Sequence, residues 1–139
     1  RITGLDPAGP LFFPPIRARN IDKSDAKFVQ IIHTNMGTLG DTTKDGHADF
    51  YPNGGVQQPN CAAGDTASPN TLGRCSHWYA YQLYAASITR DFPACPCNPF
   101  RLAYPLGLCS ASCKTPITLG FNCPSTASGE FYAKTTNPI

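Results

Sequence analysis

Long apolar runs are missing from this chain. No uninterrupted hydrophobic stretch in its 139 residues exceeds a few positions, so neither a membrane-spanning helix nor a signal-peptide core can be drawn on it. Charge is also scarce, at 14% of residues. The net charge is +2, with acids and bases interspersed. No basic run of the kind that tracks phosphates occurs, which argues against a nucleic-acid partner. There is no internal repeat and no N-x-S/T sequon. Zinc-knuckle spacing is absent as well: Cys95-Pro-Cys97 and Cys109-x3-Cys113 have no histidine nearby.

Glycine, proline and cysteine are plentiful. The chain holds 12 glycines, 14 prolines and 7 cysteines, a composition that predicts many loops and disulfides formed in an oxidising compartment. Its length suits one domain with a real core. An odd cysteine count leaves one thiol for another chain or for a segment outside this sequence. The opening Arg1-Ile2-Thr3-Gly4-Leu5 reads as a strand already under way, so the chain is expected to be the later part of a longer protein.

The chain is organised around residues 61–81. Cys61 and Cys75 bracket thirteen small, polar and turn-forming residues, and are expected to close a flap over 62–74. A loop of this size, closed by a disulfide, stabilises a fold by roughly 3 kcal/mol on the chain-entropy account. His77 follows directly, with Ser76 as the expected N-cap of a helix whose apolar positions include Trp78, Tyr81, Leu83, Tyr84, Ala85 and Ile88. The aromatic residues of this helix are expected in the core. Upstream, residues 1–5 end at Asp6-Pro7, where proline stops the strand. Asp6 therefore stands at a strand's C-terminal end, the edge where open α/β sheets place functional groups.

Residues 21–27 have a capping pattern and room for one helical turn. Phe28 to Thr34 is the strongest strand, apolar enough to be buried on both faces. His33 at its end is expected to be structural. A short strand over 47–51 leads into the turn Pro52-Asn53-Gly54-Gly55. From 91 onward the chain turns proline- and cysteine-rich with little helical pattern, before a final strand over 129–135.

Four motifs in register, with a fifth near the end, carry a family signature. They are RITGLDPA at 1–8, SDAKFVQIIHT at 24–34, GHADFYPNGG at 46–55, CSHWYAY at 75–81 and GEFYAKT at 129–135. On these, the chain resembles the secreted lipases of the pancreatic lipase family, most closely the insect neutral lipase and phospholipase A1 branch. The resemblance implies an α/β-hydrolase fold, of which residues 1–139 are the C-terminal portion: a mostly parallel sheet with flanking helices, a disulfide-bracketed lid at 62–74 and a disulfide-rich extension at 91–128. It implies triad roles for Asp6 as the acid and His77 as the base, in the chain order Ser, Asp, His. No G-x-S-x-G occurs here, so the nucleophile is expected on an upstream segment that acts as a partner to this one.

The resemblance also implies a secreted carboxylic ester hydrolase, a triacylglycerol lipase or phospholipase A1, whose partner is a lipid ester in a membrane or lipoprotein surface. The alternative is a catalytically inactive, yolk-protein-like relative that stores or binds lipid. No cofactor is required, but the family's calcium loop falls at about residues 17–25, with Asp22 and Asp25 as carboxylate ligands of a structural Ca2+. Family pairing implies Cys97–Cys109 and Cys113–Cys123. That leaves Cys95 as the thiol for an intermolecular or inter-segment bond. No colipase partner is implied.

Overall fold

The computed structural model describes residues 1–12, 20–61, 73–136 and 138–139. Six strands form one sheet in the order β1-β2-β3-β6-β4-β5. They are β1 (Ile2–Leu5), β2 (Val29–Ile32), β3 (Ala48–Pro52), β4 (Phe92–Pro96), β5 (Ile117–Leu119) and β6 (Gly129–Ala133). The first four in sheet order are parallel. β4 runs antiparallel to β6, and β5 antiparallel to β4. Parallel neighbours need crossover connections, and the link from β3 to β6 carries the helix α1 (Arg74–Ala86). The mostly parallel α/β sheet is the architecture expected from the sequence.

Period-two alternation sends the strands' side chains to two different cores. Ala48 and Phe50 of β3, with Phe131 and Ala133 of β6, face Tyr79 and Leu83 of α1 in the larger cluster. Tyr51 of β3 and Tyr132 of β6 face the other way. There they meet Phe100 of the one-turn helix α2 (Phe100–Ala103), whose ring stacks on Tyr51 with centroids 3.8 Å apart. Leu83 is fully buried, and truncating it to alanine should cost about 2–5 kcal/mol.

Two expectations fail here. The helix begins at Arg74, with Gly73 as N-cap at φ 73° and no side-chain cap. Ser76 is instead buried in the first turn. The buried stripe of α1 runs through Ser76, Tyr79, Ala80 and Leu83, whereas Trp78, Tyr81 and Ile88 are more than half exposed. Aromatics lie on both sides of this helix, so composition alone does not say which stripe faces the sheet. The extension after residue 91, read as proline- and cysteine-rich with little helical pattern, contributes strands β4 and β5. Pro93 and Pro96 obscure β4 as a pattern, and both are exposed while Phe92, Ala94 and Cys95 are buried.

The disulfides correct another expectation. Cys61–Cys75 forms as anticipated, and so does Cys97–Cys109. Cys95 is not the spare thiol: it is bonded to Cys113, which leaves Cys123 free and buried. Cys95 lies in β4 and Cys97 directly follows the strand, and each is bonded to a different partner. The thiol of Cys123 packs in the larger core, where burial pushes its pKa up to about 11. An intermolecular bond through Cys95 is therefore excluded by its partner within this chain.

Candidate active site

The site is built at the carboxyl edge of the parallel strands. β1 ends at Leu5, and Asp6 turns the chain with φ 48°, a left-handed conformation that aspartate tolerates better than most residues. Its amide N–H donates to Ile32 O at 2.8 Å, which ties the turn to the end of β2. The carboxylate is then aimed at the loop after β2. Oδ1 accepts the backbone N–H groups of Thr34 (2.8 Å) and Asn35 (2.9 Å). Oδ2 lies 2.6 Å from His77 Nδ1. The Asp6 side chain is fully buried, and three donors compensate for its lost water.

His77 reaches the carboxylate from the first turn of α1, and its side chain remains 29% exposed. A carboxylate accepts, so the hydrogen of this contact sits on Nδ1 and Nε2 is left with a lone pair. The Cys61–Cys75 bond, with Cα atoms 5.6 Å apart, fixes the chain two residues before His77. The structure thus brings together the two residues that the motifs single out, seventy-one positions apart in sequence. The anticipated lid lies at 62–74, and of it only Gly73 and Arg74 fall within the described residues.

Small residues make this geometry feasible. A Cβ on Gly40 would stand 2.4 Å from Asp6 Oδ1, so any side chain there would displace the carboxylate. A Cβ on Gly73 would stand 2.3 Å from Asn35 Oδ1.

Asp22 and Asp25 lie apart from this pair. Asp22 is the N-cap of a 3-10 turn, Lys23–Asp25, accepting Ser24 N–H at 2.6 Å, and Asp25 Oδ2 accepts Asp22 N–H at 2.9 Å. The two form a reciprocal capping box. Asn20 Oδ1 nearby is buried without a hydrogen-bond partner. Among the described residues no group of three or more His, Cys, Asp or Glu side chains is placed to hold a metal. An ion here would need backbone or amide oxygens beside the two carboxylates, a donor set calcium accepts. Arg17 of the anticipated loop lies outside the described residues.

His33 sits elsewhere, as expected of a structural histidine. Its Nε2 lies 3.0 Å from Asp49 Oδ1, both side chains are 1% exposed, and its ring stacks on Tyr51.

Sequence reasoning missed the polar network behind the pair. Gln58 and Asn53 are threaded between the loop after β2, the turn after β3 and α1. Their only signal in sequence is polarity in a turn-rich stretch, which many exposed residues share.

Comparison with known proteins came out consistently. A family model described as Lipase matches residues 1–135. Lipase member H of Xenopus tropicalis is 41% identical over 126 residues, covering 89% of this chain and 26% of that protein. Pancreatic lipase-related protein 3 of Homo sapiens is 42% identical over 121 residues, 72% of this chain and 26% of that one. Phospholipase A1 member A of Rattus norvegicus is 39% identical over 126 residues, with coverage of 89% and 26%. The chain thus spans about a quarter of the length of the curated relatives it matches.

Proposed function

This chain belongs to the lipase family, with the α/β-hydrolase-like fold that the family implies, and from that premise we propose that it supplies the acid and base of a Ser-His-Asp triad that hydrolyses lipid esters. The observation that carries the reading is the 2.6 Å contact of His77 Nδ1 with Asp6 Oδ2, at a strand's C-terminal edge with the ring still open to solvent. In this reading His77 Nε2 takes the proton of a serine hydroxyl carried on a segment upstream of this one. The serine oxygen attacks the ester carbonyl, and His77 then returns the proton to the leaving alcohol. Asp6, held by the Thr34 and Asn35 amides, keeps the ring in the productive tautomer and faces the positive charge that develops on it.

The substrate in this reading is an acyl ester of a triacylglycerol or of a phospholipid; among the relatives, some are named lipases and one a phospholipase A1. The surface offers a feature that suits a lipid partner. Leu102, Leu106 and Leu108 are exposed within the loop closed by Cys97–Cys109, an apolar cluster of the sort that contacts membranes or partners. Secretion fits the three disulfides, and no helix among the described residues is long and apolar enough to cross a membrane. Calcium, if held by Asp22 and Asp25, would pin the loop after β1 and take no part in the proton transfers.

The test is ester hydrolysis by the complete protein on triacylglycerol and on phospholipid, with His77→Ala beside the wild type. Loss of turnover in the variant with an unchanged melting temperature is expected. Near-normal hydrolysis by His77→Ala would end the proposal. An upstream alanine or glycine where the serine should stand would assign the chain to the inactive relatives.

A further inference from the structure

We propose that Gln58 is a positioning residue for the Asp6–His77 pair, a proposal that rests on the triad reading above. Gln58 lies three residues before Cys61 and is 2% exposed. Its carboxamide is fully used. Nε2 donates to Thr34 O and to Pro52 O, each at 3.0 Å, and Oε1 accepts from Asn53 Nδ2 at 3.0 Å. Its backbone N–H donates to Ser76 Oγ at 3.0 Å, and its carbonyl accepts Cys61 N–H.

Two of those contacts end next to the pair. Thr34, whose carbonyl takes the Gln58 amide, donates its own N–H to Asp6 Oδ1. Ser76, whose hydroxyl takes the Gln58 backbone N–H, immediately precedes His77 on the first turn of α1. One buried residue therefore holds the peptide that orients the acid and the helical turn that carries the base. Pro52 at the end of β3 and Asn53 just after it tie the carboxamide to the sheet, and Asn53 passes the anchorage on to Thr135 after β6. Gln58 thus references both halves of the pair to the rigid sheet.

The site demands a glutamine on chemical grounds. Two carbonyl oxygens and one N–H group converge on it, which asks for two donors and one acceptor in a single planar group. Glutamate would set oxygens against two carbonyls, and asparagine is a methylene too short. Without the amide, the Thr34 carbonyl would lose its Gln58 donor while Pro52 O would keep only the Gly55 N–H, and the loop after β2 and the start of α1 would be free to shift relative to each other. A misplacement of about 1 Å costs on the order of 100-fold in rate.

The experiment uses the complete enzyme, with Gln58→Met (similar length, no donor) and Leu119→Ala as a control that loosens the buried edge strand β5. The readouts are kcat and KM on a soluble short-chain ester, the melting temperature, and the low-field proton resonance of His77 Nδ1–H. For Gln58→Met we expect kcat to fall about 100-fold, KM to stay within about twofold, and the low-field resonance to move upfield or vanish. Leu119→Ala should keep both kcat and the resonance despite a comparable drop in melting temperature. If Gln58→Met does not fold, Ser76→Ala removes the hydroxyl that takes the Gln58 N–H on α1 while leaving the carboxamide contacts in place, and should lower kcat in the same direction by less.

Unchanged kcat and resonance in Gln58→Met would overturn the proposal. So would a loss of kcat that Leu119→Ala matches at equal melting temperature, since the role would then be stability alone. If the wild type hydrolyses no ester, the triad reading fails, and the resonance still reports whether Gln58 sets the geometry.

Discussion

Among the described residues two His–Asp pairs occur, and their surroundings are opposite. His77 meets Asp6 through Nδ1 with its ring 29% exposed, while His33 meets Asp49 through Nε2 with both side chains sealed in the sheet. The residue types and contact distances are similar. Access and the choice of nitrogen differ. A ring held by Nδ1 at an open edge presents Nε2 outward, to a substrate or a nucleophile. A ring held by Nε2 between Tyr51 and the strands leaves an Nδ1 with no partner and nothing for it to transfer to. A histidine beside an aspartate is thus a candidate base only when the second nitrogen has somewhere to go.

The comparison can be broken most sharply at the open pair. Asp6→Asn in the complete enzyme should cut kcat by about 10⁴-fold, because the amide favours the wrong tautomer of His77. A loss below tenfold would show that the carboxylate is a turn residue and no more. At the sealed pair the expected effect is on stability. His33→Leu strands the Asp49 carboxylate with little beyond the Gly46 N–H, a change that costs about 3–5 kcal/mol in a urea melt. The surviving folded enzyme should keep kcat within tenfold; a stable but inactive His33→Leu protein would mean that the two pairs do not divide the labour.

Smaller effects test the surroundings. If Asp22 and Asp25 hold calcium, a chelator should lower the melting temperature by a few degrees, consistent with about 1–3 kcal/mol of binding linkage, and Asp22→Asn should abolish that response. Capping alone would leave the melt indifferent to chelation. Cys123 should give the smallest signal. Its thiol is raised in the folded state to about 11, so folding favours the protonated form. The stabilisation from that preference is complete below the ordinary thiol value of 9.0 and is lost as pH rises through the folded value. Native protein at pH 8 should resist alkylation and react fully only once unfolded.

Much of this was legible in the sequence because it rests on local pattern. The run Phe28 to Thr34 announces a strand buried on both faces, and it delivers β2 with every position buried. Asp6 and His77 stand in motifs; the strand end that carries Asp6 follows from Pro7, and the helix that carries His77 follows from the spacing after Cys75, though it starts at Arg74 rather than after Ser76. What failed depends on long-range choices. Cys113 could have been offered either Cys95 or Cys123, and only the folded chain decides, by placing Cys95 beside Cys113 and burying Cys123 in the larger core. Tyr79 rather than Trp78 enters the core because the orientation of α1 is set by the sheet beneath it. Gln58 was invisible because its importance lies in partners from three other segments, Thr34, Pro52 with Asn53, and Ser76, none of them adjacent to it.

Gly40 has a consequence of its own. Where a hydrogen stands against Asp6, a methyl group would collide with both carboxylate oxygens, the atoms that hold His77 and the loop after β2. If Asp6 and His77 work as proposed, alanine at this position would be a silencer rather than a wrecker, yielding a folded protein that binds an ester without turning it over.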